Sequence, residues 1–139
     1  MSDIIASDPE MAARDRRLRT VPDVGQIIAA TLIAELPELG RSDHRQIAAL
    51  AGLTPIAPDS GTRSGRRTIG GGRPVVGTAL YIAALHASRH CPNLAAFRAK
   101  LQSGGKPVKA AITATARKLL AILNAMIATG TDYREPIPL

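Results

Sequence analysis

Apolar residues recur every three or four positions along several stretches of this chain, and prolines and glycines separate those stretches. Ile27, Ile28, Leu32 and Leu36, interleaved with Thr31 and Glu35, keep helical spacing until Pro37 and Gly40 break it. Ile47, Leu50 and Ala51 share one face of a shorter predicted helix, capped by Ser42 and ended by Gly52. Pro74 stands where a proline opens a helix, and Val75, Val76, Ala79, Leu80, Ile82, Ala83 and Leu85 follow as a broad apolar face. Asn93 opens a further helix through Leu101, closed by Ser103, Gly104 and Gly105. The longest begins at Pro107 and carries Ile112, Ala116, Leu119, Leu120, Leu123, Met126 and Ile127 before Gly130 ends it. Ahead of them all, Ser7-Asp8-Pro9-Glu10 reads as a helix start. The stretch from there to Thr20 holds four arginines and few apolar residues, as in the solvated end of a helix.

No segment alternates with the period of a strand. The expected fold is therefore all-α, a compact bundle of five or six helices. Three parts are expected: a lead-in helix over 1–20, the domain proper over 21–130 and a flexible tail over 131–139. Composition agrees, because the 139 residues include one Phe, two Tyr and no Trp. Ala, Leu, Ile and Val must fill the core, which favours closely packed helices. No stretch reaches the ~18 uninterrupted apolar residues of a membrane span. No secretory signal is visible, and Cys91 stands alone without a disulfide partner. These features point to a cytoplasmic, nucleoid-associated protein with no membrane partner.

Charge changes the picture more than composition does. Eighteen Lys and Arg against eleven Asp and Glu leave a net charge of +7, which points to an anionic partner such as nucleic acid. The glycine- and proline-broken stretch 53–74 concentrates that charge. Within residues 59–73 lie Arg63, Arg66, Arg67 and Arg73 with five glycines. Arginine forks suit phosphate oxygens, and glycines let the backbone come close to them. The bland alternative is a disordered basic linker, but flanking helices and the apolar Ile69 favour a functional loop. Ser60 and Ser64 are its serines, and either hydroxyl could attack phosphorus beside neutralising arginines.

A second constellation is Val21-Pro22-Asp23-Val24-Gly25 ahead of the first apolar helix. It has the outline of a helix-hairpin-helix, in which Gly25 would bring backbone N–H groups to a phosphate at a helix N-terminus. Asp23 stands where a second glycine is usual, and an ordinary helical corner is the competing reading. His86, His90 and Cys91 lie close enough for zinc, yet lack an evident fourth ligand, so a helix end is the better reading. Lys106, Lys109, Arg117 and Lys118 along the last helix are a solvated face or an extension of a DNA footprint. The acids are scattered, without the paired carboxylates of a metal-dependent nuclease.

Several of these residues recur together in one family. Val21-Pro22-x-Val24-Gly25, then Thr31-Leu32 and Glu35-Leu36-Pro37-Glu38-Leu39-Gly40, precede Arg45-Gln46-Ile47-Ala48-Ala49-Leu50-Ala51-Gly52-Leu53. Asp59-Ser60-Gly61-Thr62, Gly65-Arg66-Arg67-x-Ile69-x-Gly71-Gly72-Arg73 and Ala79-Leu80-Tyr81 come next. Gly104-x-Lys106-Pro107 and Arg117-Lys118-Leu119-Leu120-x-Ile122-Leu123-Asn124-Ala125-Met126 complete the series. From about Asp8 to Gly130 the chain resembles the C-terminal domain of bridge-RNA-guided insertion-sequence transposases, the serine-using group with an RNase-H-like domain.

That resemblance implies DNA transposition by serine-mediated strand cleavage and rejoining. It implies Ser60 as nucleophile, with Ser64 second, and Gly25, Arg63, Arg66, Arg67 and Arg73 as nucleic-acid contacts. DNA is the implied partner, with a guide RNA and an oligomer or full-length transposase as further ones. Complete members carry metal-binding carboxylates in a preceding RNase-H-like domain, so no metal or cofactor is expected on this chain and Mg2+ belongs to that domain. Since Met1 falls close to the hairpin, the resemblance implies a truncated frame or isolated domain, inactive by itself. Gly77 stands where an arginine is common in the family. The alternatives are a non-catalytic nucleic-acid-binding module that partners or inhibits a full-length transposase, and a helical protein-interaction domain.

Overall fold

A computed structural model describes residues 7–53 and 72–134 of the chain. Six helices occur among these residues: α1 Pro9–Leu18, α2 Gln26–Glu35, α3 His44–Leu50, α4 Pro74–His90, α5 Pro92–Ser103 and α6 Val108–Thr129. No strand is present among the described residues, and the all-α expectation holds.

Helices α4, α5 and α6 pack on one another, and α1, α2 and α3 close over them. The centre is α6, whose Ile112, Ala116, Leu119, Leu120 and Leu123 are all buried. Facing it, α4 buries Val76, Leu80, Ala83, Ala84 and Ala87. Alanines at the crossing let the helix axes approach, so the bundle needs no aromatic filler. Leu18, Leu32, Leu36 and Ile47 bring the first three helices into the same core. Helix α6 is long and apolar enough to cross a membrane, but 61% of its most apolar stretch is buried inside the fold. Its apolarity is accounted for by the core it fills.

Helix starts follow local chemistry. At α1 the Asp8 side chain accepts from the N–H groups of Glu10 and Met11, with Pro9 in the first turn. This helix is more than a solvated end, because Leu18 is buried and Met11 packs against the core. At α3 the cap is Asp43, one residue after the predicted Ser42. Asp43 accepts from Gln46 N–H at 2.8 Å while Gln46 Oε1 accepts from Asp43 N–H at 3.3 Å, a reciprocal box. Ser42 instead offers its carbonyl to Asn124 Nδ2 at 2.9 Å.

Asn124 is a buried polar residue of α6 that ties down the α2–α3 connection. Besides Ser42 it serves Gly40, whose N–H donates to Asn124 Oδ1 at 2.6 Å. Gly40 has φ +85°, and a Cβ there would lie 2.5 Å from Ile127 Cγ2. Only glycine satisfies both the conformation and the close approach. Packing continues past α6: Arg17 on α1 bonds the Gly130 carbonyl and Asp132, and Tyr133 N–H donates to Thr20 Oγ1.

Candidate nucleic-acid interface

The residues that flank the predicted loop on either side are held at one place on the bundle. Arg73 N–H donates to the Leu50 carbonyl at 2.9 Å, which places the far end of the excursion beside the end of α3. The near end is held from α6, where Arg117 Nη1 donates to the Leu53 carbonyl at 3.1 Å. Gly77, in the first turn of α4, sits against the same place. A Cβ on Gly77 would lie 2.7 Å from the Ala51 carbonyl oxygen, so α4 approaches α3 more closely than any other residue would allow. An arginine at this position does not fit the arrangement. Ser60, Ser64, Arg63, Arg66 and Arg67 lie outside the described residues.

Arg73 is the described member of the predicted arginine set, and it is engaged by the protein. Its two Nη atoms each lie 2.7 Å from an oxygen of Glu38, and Nη1 also donates to the Glu35 carbonyl at 3.0 Å. The hydrogen bonds from Arg73 lower the Glu38 carboxyl from 4.5 to about 2, helped by the backbone amide of Glu38. The same fork raises the Arg73 pKa. In this arrangement Arg73 fastens the excursion to the α2–α3 connection, with about a third of each side chain exposed. The two residues are 35 positions apart, so nothing in their spacing could have paired them.

At the predicted hairpin, Gly25 is the exposed N-cap of α2, without a side-chain cap, and a Cβ there would meet no atom within 4 Å beyond its neighbours in the chain. The positive end of the helix dipole is therefore open to a ligand there. Asp23 adopts φ +68°, the left-handed conformation that explains why a glycine is usual at this site. Its carboxylate is taken up by His90, with Nδ1 to Oδ2 at 2.7 Å. Cys91 is buried, with its sulfur against the Tyr133 hydroxyl, while His86 is exposed.

The charge is distributed unevenly. Between residues 74 and 130 the chain holds seven Lys and Arg and not one Asp or Glu. Most of the described carboxylates on the N-terminal side are matched to arginines or His90, as in Glu10 with Arg14 and Arg41, Asp15 with Arg19, and Glu38 with Arg73. Excess positive charge therefore sits on α4, α5 and α6. Lys109 lies at a cleft of about 500 Å3 at the root of the excursion, with Gly52, Leu53, Arg73, Gly77 and Tyr81. Among the described residues no group of three or more His, Cys, Asp or Glu is placed to hold a metal ion.

Taken together, these features define a basic all-α bundle in which Leu53 and Arg73, on either side of residues 54–71, are both held to the bundle. Residues 15–102 match the transposase IS116/IS110/IS902 family, and with well over half its length covered the chain belongs to that family. The match spans residues 21–25 and 54–73, and it supports transposition or recombination on DNA as the process served. No curated protein matches the chain.

Proposed function

We propose that this chain is the DNA-binding, serine-bearing C-terminal domain of such a transposase, acting in the cytoplasm on nucleoid DNA. The observation that carries the reading is the family match running across an excursion whose two ends are bound together at Leu50, Leu53 and Arg73. Anchoring on both sides of the loop lets it be a binding element without loosening the bundle. Gly25 and the open N-terminus of α2 take a phosphate, and Arg63, Arg66 and Arg67 take others. Arg73 serves as the anchor of the excursion and reaches phosphate only if Glu38 releases it. In the cleavage step Ser60 Oγ forms a bond to phosphorus as the strand's P–O bond breaks, and the hydroxyl proton ends on the leaving sugar oxygen. Rejoining reverses the step. A guide RNA and a full-length transposase complete the partners.

The test is complementation of a transposase that lacks its C-terminal domain, read as covalent protein–DNA adduct. Adduct is expected with the wild-type chain and not with Ser60→Ala. Adduct that survives Ser60→Ala but not Ser64→Ala moves the nucleophile. Salt-sensitive DNA binding without any adduct supports the silent binding module.

A further inference from the structure

A second positively charged groove lies on the bundle itself, away from the hairpin. The first turn of α3 and the middle of α6 cross there, with α5 alongside, and enclose a cleft of about 470 Å3. His44, Arg45, Arg117 and Lys118 line it over small residues such as Ala48 and Ala114. None of the four has a carboxylate partner among the described residues. The nearest acid in sequence, Asp43, is occupied by the capping box of α3. Like charges gathered without counter-charge oppose folding, and they raise a local potential that an anion relieves.

Two details say what kind of anion fits. Lys118 Nζ stands 5.0 Å from the centroid of the Phe97 ring, so a cation occupies one face of the groove's aromatic ring. A splayed base stacking on that face would have to displace Lys118, whereas phosphate oxygens can meet the cations directly. Arg117 is half-buried and spends one N–H on the Leu53 carbonyl, leaving the rest of its fork in the groove. That same bond puts the groove directly beside the root of the excursion.

We propose that this groove holds the phosphate backbone of duplex DNA flanking the strand presented to the excursion, with Arg45 and Lys118 as the principal contacts. The proposal rests on the DNA-binding reading above and adds a second surface to it. Arg117 contributes a third contact while keeping its structural bond.

The experiment is duplex binding by the full chain, measured by fluorescence anisotropy across a salt series. Each phosphate contact contributes a slope of about −0.9 in log K against log salt. Arg45→Ala combined with Lys118→Ala is expected to flatten the slope by about 1.8, with an unchanged helical circular dichroism spectrum. Ala48→Glu, which adds an acid to the floor, is expected to weaken binding in the same direction. An unchanged slope in both variants, while Arg63, Arg66 and Arg67 changed to Ala flatten it, overturns the groove and leaves the DNA-binding reading standing. No salt-dependent duplex binding by the wild type overturns both. If the groove variants lose structured-RNA binding and keep the duplex slope, the groove belongs to RNA and the proposal fails.

Discussion

Glu38 and Arg73 are each half of a fork that neither residue's neighbours announce. Because the folded carboxyl is lowered to about 2 from 4.5, the fork's contribution to stability is present above about pH 4.5. It is lost as pH falls toward about 2. Thermal melts should therefore show the wild-type Tm dropping more steeply over that window than the Tm of Glu38→Gln. Equal slopes would mean that the pair does not persist in solution. Gly77 makes the other residue-scale case. Either Gly77→Ala or Gly77→Arg places a Cβ against the Ala51 carbonyl. Overpacking of this kind costs about 1–3 kcal/mol, to be read by urea denaturation. A Gly77→Ala protein as stable as wild type would show that α4 can shift freely.

Between elements, the connection from α2 to α3 is held by one side chain of α6. Asn124→Ala leaves the Gly40 N–H and the Ser42 carbonyl without their partner. Leaving buried polar groups unpaired costs about 1–3 kcal/mol, so chemical denaturation should report a loss of that size. Hydrogen exchange should rise first at Gly40, because its amide donates directly to the lost oxygen. Asn124 shares the buried side of α6 with one other polar residue, Thr115, and its partners lie more than eighty residues away in the chain, so no local signal announces this role. The helix starts behaved differently, since caps and first-turn prolines act within three residues and are legible locally. The one-residue error at α3 arose because Ser42 and Asp43 both qualify, and Gln46, three residues after Asp43, closes the reciprocal box on Asp43.

Across the whole molecule, most carboxylates of the N-terminal helices are matched, and unmatched cations lie on the C-terminal helices and at the start of α3. DNA binding carried by the excursion should therefore not be its entire salt dependence. Changing Arg63, Arg66 and Arg67 together to Ala should flatten the duplex slope by about 2.7 while leaving a residual slope from α3 and α6. A residual slope of zero would confine all phosphate contact to the excursion.

The helical periodicity of Ile27 to Leu36, Val75 to Leu85 and Ile112 to Ile127 determined by itself that this protein is an all-α bundle, because amphipathic spacing is a property of consecutive residues. Net charge and the glycine-arginine segment determined by themselves that an anionic partner deserved first consideration. The use of each charge was decided only by the tertiary structure. Arg73, one of a row of similar arginines in sequence, is withdrawn to Glu38, and Arg117 is withdrawn to a carbonyl at the foot of the same excursion. Hydrogen bonds between segments depend on where helices cross, and those crossings are set by packing summed over the whole core.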